Sequence, residues 1–196
     1  MAKIIALNNG TKKDLILKKA AELFRRKGFR AASVRELAES LGIEAPSLYN
    51  HIGSKVELLQ HICFEVAEDF TRNMKEIAAG KQNAAEKTDA LIRFHIRKMY
   101  ADFDKVYVSD NEWKQLPKKQ ADDFLEQRKA YENMLTEIII EGTNKKLFKK
   151  MNPRIAMLTI LSAVRGLELR QKHKNEFSMQ ELEDNMVQHL LNGITK

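Results

Sequence analysis

Apolar residues return every three or four positions along almost the whole chain, the spacing that gives a helix one buried stripe. Ile16, Ala20, Leu23, Phe24 and Lys27 trace one such stripe, closing before Gly28. From Ser54 a longer stripe runs through Leu58, Ile62, Val66, Phe70, Met74 and Ile77. Five Ser/Thr-x-x-acid starts punctuate the pattern: Thr11 with Asp14, Ser33 with Glu36, Ser54 with Glu57, Ser109 with Glu112 and Ser178 with Glu181. In each, the hydroxyl can accept from a free backbone N–H while the acid reaches back. No period-two alternation, internal repeat or low-complexity tract interrupts them. The pattern predicts an all-α chain with helices near 11–28, 33–40, 44–50, 54–79, 84–107, 110–116, 118–143, 153–172 and 178–192. The clearest loops are 80–83 and 144–152, the second running into Pro153, a residue suited to a first helical turn.

Charge divides this helical chain into two parts. Residues 1–55 hold 11 Lys/Arg against 5 Asp/Glu, whereas residues 56–196 hold 23 against 22, so nearly all of the net +7 lies in the first quarter. A basic module on a near-neutral body is the charge plan of a polyanion-binding head, although a solvated basic face would read the same way. With 196 residues, 43% of them apolar, the chain has enough material for a core without a disulfide or metal staple. Cys63 stands alone, and no apolar run approaches the ~20 residues of a spanning helix. The residues after Met1 are too short an apolar run for a signal peptide. These features point to a soluble cytoplasmic protein.

Residues 33–51 carry the most specific local pattern. Ser33 is placed to cap a helix whose Leu37, Ala38 and Leu41 face inward, and Gly42 to make a tight turn at positive φ. Ile43 is placed to plug the angle, Pro46 to open a second helix and Leu48 to pack back. Ala45, Ser47, Tyr49 and Asn50 are then left outside. This is a helix-turn-helix whose second helix fits a major groove.

The run Gly42-Ile43-Glu44-Ala45-Pro46-Ser47-Leu48-Tyr49-Asn50-His51-Ile52-Gly53-Ser54-Lys55, preceded by Ala20-Ala21-Glu22-Leu23-Phe24 and Gly28-Phe29, resembles the TetR family of transcriptional repressors. The likeness spans about residues 11–60. Ser33 stands where Thr is usual, Ile43 where Val is, and Ile52 where Phe is. The resemblance implies a three-helix DNA-binding head over 1–55 and a helical effector and dimerisation domain over 56–196. Ser33 and Arg35 would meet phosphates or a base edge. Ala45, Pro46 and Ser47 would approach bases, and Asn50 would read a base or bond the backbone. Tyr49, His51 and Lys55 would hold phosphates, with Lys55 the foremost DNA contact. Tyr49 could instead pack on the head's core, and His51 could serve as a cap or core histidine.

In the body, two apolar stripes suit a dimer seam on a dyad: Leu158, Leu161, Val164 and Leu167 on one helix, Leu182, Met186, His189 and Leu190 on the next. The alternative is that the chain's own core uses them. Phe70, Met74, Phe94, Met99, Phe103, Trp113, Tyr131, Met134, Leu135 and Ile138 would line a pocket for a small hydrophobic effector. His95 and Arg165 would fix a polar head group there. The stretch Asn111-Glu112-Trp113-Lys114-Gln115-Leu116-Pro117 with Arg128-Lys129-Ala130-Tyr131-Glu132 further resembles TetR members that sense CoA thioesters in lipid breakdown.

No phosphate loop, nucleophile triad or zinc spacing appears, so neither cofactor nor metal is expected. Glu57, His61 and Glu65 share a helix face, which ordinary surface pairing explains better than a metal. The reading is a ligand-responsive repressor: a homodimer on a palindromic operator in double-stranded DNA, released by a hydrophobic effector such as an acyl-CoA. The long helix from Ser54 would be the lever. A constitutive activator without a ligand, or a helical small-molecule carrier or enzyme, are the competing readings.

Overall fold

The computed structural model describes residues 12–167 and 176–195. Among them run nine α-helices: α1 (Lys12–Lys27), α2 (Val34–Ser40), α3 (Ala45–Tyr49), α4 (Lys55–Ala79), α5 (Ala84–Ala101), α6 (Phe103–Asn111), α7 (Lys118–Asn144), α8 (Pro153–Arg165) and α9 (Met179–Asn192). A 3-10 turn, Trp113–Gln115, lies between α6 and α7. The only β pairing among the described residues is an isolated antiparallel bridge between Phe148 and Thr195. The all-α reading therefore holds.

Three of the expected hydroxyl caps form. Ser33 Oγ accepts from the Glu36 N–H while the Glu36 carboxylate accepts from the Ser33 N–H, a reciprocal pair worth about 1 kcal/mol. Ser54 and Ser178 accept from the Glu57 and Glu181 amides, each at 3.1 Å. Thr11 lies outside the described residues. Ser109 is a correction: it sits inside α6, buried, and its hydroxyl donates to the Cys63 carbonyl at 3.4 Å. Asn83 and Asn152 cap α5 and α8 with side-chain oxygens, Asn83 in a full reciprocal pair with Glu86.

The expected helix 84–107 is two helices. Asp102 leaves helical geometry (φ −124°, ψ 39°), and its carboxylate accepts from Lys98 Nζ at 2.5 Å. Asp competes for local hydrogen bonds and so ends helices more readily than it extends them. The new helix α6 continues to Asn111, which leaves only the 3-10 turn where a helix over 110–116 was expected. The last α-helical residue of α8 is Arg165, capped at Gly166, short of the expected end; residues 168–172 of that expected helix lie outside the described residues.

The chain packs as two compact units. The first takes the described residues up to Ala67 together with Asp104–Leu125; the second takes Glu68–Phe103 and the described residues from Glu126. In packing terms the first unit therefore extends past residue 55. Its core joins Leu17, Phe24, Leu37, Leu48, Leu59 and Ile62 to Val108, Leu116 and Phe124. Each such side chain contributes roughly 1.5–3 kcal/mol by leaving water. The second core gathers Met74, Leu91, Ile92, Ile96, Leu135 and Ile139 with Met157, Ile160 and Val187.

Candidate DNA-binding face and internal polar site

The helix-turn-helix has the expected geometry. Gly42 takes φ +68°, a conformation that costs an L side chain its Cβ clearance, and Gly28 takes φ +79° after α1. Leu37, Ala38 and Leu48 are buried, Leu48 completely. Pro46 stands in the first turn of α3. With Leu48 anchoring one side, α3 presents Pro46, Ser47, Tyr49 and Asn50 outward, and the Tyr49 ring is 52% exposed. Ser33, Arg35 and His51 are also exposed, and Arg35 makes only a loose bond to Glu39 at 3.2 Å. Ala45 is half-buried and packs against the core, so its outward reach is smaller than expected.

Lys55 departs most from expectation. Its ammonium donates to the carbonyls of Phe29 at 2.8 Å, Ala32 at 2.8 Å and Arg30 at 3.3 Å, and lies 4.5 Å from the Phe29 ring centroid. An ammonium has three protons, and all three are spent. Lys55 thus ties the start of α4 to the turn after α1, and a phosphate would have to compete for it. Several other cations are held too: Lys27 by Glu36, Arg25 by Asp104, and Arg30 by Gln115 at 2.9 Å. The Lys27 bond, helped by the Ser33 N–H and hydroxyl, lowers the Glu36 carboxyl to about 2. Lys12, Lys13, Lys18 and Arg26 are exposed.

The second unit invests its polar groups inside. Glu183 on α9, 1% exposed, takes a two-pronged bond from Arg97 at 2.7 and 2.8 Å and a third from Arg93 at 3.2 Å. These arginines hold its carboxyl below the usual range, and the cluster welds α9 to α5. Lys87 donates to the Ala78 carbonyl at 3.0 Å, and Thr88 to the Ala84 carbonyl at 2.8 Å. His95 and Tyr131 are buried against each other, Nε2 to Oη 2.6 Å, with the Phe70 ring 4.6 Å from the imidazole. Burial, with the nearby Arg165 charge adding to it, pushes His95 down to about 3 and keeps it neutral; burial pushes the Tyr131 phenol up.

Comparison with known proteins decides the family. The model for bacterial regulatory proteins of the tetR family matches residues 16–62, and the tetracyclin repressor-like C-terminal domain matches residues 81–194. The chain belongs to the TetR family. It is similar to the HTH-type transcriptional repressor KstR2 of Mycolicibacterium smegmatis, 26% identical over 68% of this chain and 67% of that one. It is also similar to the fatty acid metabolism regulator protein of Bacillus subtilis, 22% identical over 91% and 93%. Among solved structures, the ketosteroid transcriptional regulator KstR2 of Mycobacterium tuberculosis superposes with a TM-score of 0.89 at 20% identity, over 98% and 99% of the two chains. AibR, in complex with isovaleryl coenzyme A and operator DNA, gives 0.82 at 21% identity over 92% and 98%.

As a TetR regulator the chain is a DNA-binding transcription factor, and the exposed α3 row lies within the matched head. The body residues separate into groups. Met74, Leu135 and Ile138 are core, Met99 is buried and Met134 half-buried; Phe70 and Phe94 are half-buried with their rings beside His95, and Phe70 also faces Tyr131. Phe103 ends the second unit's first segment. Trp113 does not join them: it lies in the first unit, its ring stacked 6.0 Å from Phe124. Leu161 and Val164 are each 1% exposed within the chain's own core, which removes them from any outer seam. Leu158 and His189 are exposed, and Leu167, Leu182, Met186 and Leu190 are half-buried. Ile155, one turn before Leu158 on the same helix and one of the apolar residues the sequence offers for that seam, is 62% exposed. No group of three metal-binding side chains gathers among the described residues, and Glu65 bonds Lys105 at 2.5 Å. No described helix is long and apolar enough to cross a membrane.

Proposed function

We propose that this TetR protein represses transcription as a homodimer on a palindromic operator and lets go when a small hydrophobic effector enters the second unit. The observation that carries the reading is the outward row Pro46, Ser47, Tyr49 and Asn50 on an α3 fixed by buried Leu48. Such a row enters a major groove, with Pro46 and Ala45 offering apolar contact to a thymine methyl and Tyr49, His51, Ser33 and Arg35 reaching phosphates. In function the head is residues 1–55 and the body 56–196. The protein works in the cytoplasm and performs no catalysis.

The dimer seam is the face of α8 and α9 where Ile155 and Leu158 stand exposed beside a groove of about 320 Å³ lined by Met151, Ala156, Thr159, Leu190 and Ile194. A second copy covers them and sets two heads for successive major grooves, roughly 34–36 Å apart. Helix α4 contributes residues to both units and is the lever by which the effector changes that spacing. KstR2 and AibR, whose names tie them to ketosteroid regulation and isovaleryl coenzyme A, support an acyl or CoA-linked lipid metabolite as the effector class. The test is Ile155→Glu with Leu158→Glu. Sedimentation velocity is expected to show a monomer and operator affinity to fall more than tenfold; an unchanged dimer with unchanged affinity overturns the seam.

A further inference from the structure

Among its described residues the second unit buries four polar or charged ones, and the hydrogen bonds of three close on the protein. Lys87 and Thr88 find carbonyls, and Glu183 finds two arginines. His95 and Tyr131 do not come out even. A neutral imidazole has one N–H and a phenol has one O–H, so the pair brings two donors. Their mutual bond at 2.6 Å uses one of them. If Tyr131 donates to Nε2, the Nδ1–H is left over; if Nε2–H donates to Tyr131, the phenol O–H is left over. Either tautomer leaves one donor with no protein acceptor among the described residues, in side chains only 7% and 6% exposed. An unsatisfied buried donor costs about 1–3 kcal/mol, and native cores rarely carry one without a use.

Two further observations say what it is for. The surroundings are apolar and aromatic: Phe70 lies 4.6 Å from His95 and 6.2 Å from Tyr131, with Phe94 5.3 Å from Phe70. The charge acting on both rings is positive, from half-buried Arg165, which has no carboxylate partner among the described residues. A spare donor in an aromatic setting, within reach of a positive field, is complementary to a negative or partly negative oxygen on an apolar molecule.

We propose that the His95–Tyr131 pair is the hydrogen-bonding anchor for an acyl oxygen, carboxylate or thioester carbonyl, of the hydrophobic effector. This rests on the reading that the second unit takes such an effector. The ligand's oxygen accepts the spare donor, the neighbouring Arg165 field favours its charge, and the chain or ring system lies along Phe70 and Phe94. A cationic molecule with the same apolar body is excluded, since it brings no acceptor and meets like charge.

The test uses the full-length protein and three probes: decanoic acid, decylamine and decanoyl-CoA, by titration calorimetry. The acid is expected to bind at least about tenfold more tightly than the amine. In His95→Leu with Tyr131→Phe, which replaces both partners by apolar groups of similar shape, the acid is expected to lose its preference to within about twofold while the amine keeps its affinity. Tight decanoyl-CoA binding that the variant also loses marks the carbonyl as the source, and binding of the acid alone marks the carboxylate. An undiminished acid preference in the variant overturns the anchor while leaving the effector reading intact. Failure of all three probes to bind a wild-type protein that still binds DNA overturns the effector reading and the anchor with it. Should the double variant not fold, ¹⁵N spectra of the His95 ring decide the matter: decanoic acid is expected to shift its nitrogens, and an unmoved ring overturns the proposal.

Discussion

The two units bury polarity differently. In the first, Ser109 is the single buried polar residue among the described ones, and its hydroxyl closes on a backbone carbonyl. In the second, Lys87, Thr88, His95 and Glu183 are all inside. A DNA-reading head works with its outer surface, so its interior need only be rigid, and an apolar core with Lys55 laced into three carbonyls supplies that. In the second unit Lys87, Thr88 and Glu183 close on carbonyls and arginines and tie the helices together, and only the His95–Tyr131 pair, the proposed ligand anchor, keeps a donor in reserve at a cost in stability.

Breaking the apolar side of this contrast gives the largest effect. Leu48→Ala removes a fully buried anchor of α3 and is expected to cost about 3 kcal/mol in denaturant unfolding, with operator binding lost. An unaltered midpoint would mean that α3 does not depend on the core.

The polar side is probed by pH. Unfolded, His95 gains a proton below its ordinary value of 6.5; folded, it does so only near 3. Its neutral form is therefore favoured by folding: the full contribution is present above pH 6.5 and drains away as pH falls toward 3. At pH 5 this amounts to about 2 kcal/mol. Urea unfolding at pH 7 and pH 5 is expected to show the loss in the wild type and to show it reduced by that amount in His95→Leu. Equal losses in both would remove His95 as the titrating group.

The smallest effects separate surface from scaffold within the head. Lys55→Ala is expected to cost about 1 kcal/mol of stability, through three carbonyls left without their donor, and to leave the salt slope of operator binding unchanged. A slope lower by about one would show the ammonium on a phosphate after all. Tyr49→Ala is expected to change stability by less than about 0.5 kcal/mol while weakening operator binding several-fold.

The head was legible because its signals are local. Ser33, Gly42, Pro46 and Leu48 each act within a few residues, and their spacing alone specifies the turn. The carbonyl bonds of Lys55 were not legible because its partners, Phe29 to Ala32, lie more than twenty positions away and are backbone atoms that no side-chain pattern records. Trp113 was misplaced for a similar reason, since its stacking on Phe124 is set by the fold, whereas the break at Asp102 is local, with a bond from Lys98 four positions back that an apolar pattern does not record. In the body, periodicity marked Leu161 and Val164 as apolar but could not say which apolar face turns inward. His95 stood out as a polar residue on an apolar stripe, yet its pairing with Tyr131, thirty-six positions on, needed the folded chain.

The central claim, that this fold places one sequence-reading helix per protomer on a two-fold operator, is tested most directly by selecting bound fragments from random duplex DNA at two salt concentrations. A palindrome whose half-sites lie about one helical turn apart, enriched at both salts, is the expected result. Enrichment of no sequence, with binding that vanishes as salt rises, would contradict it and reduce the basic head to a general polyanion surface.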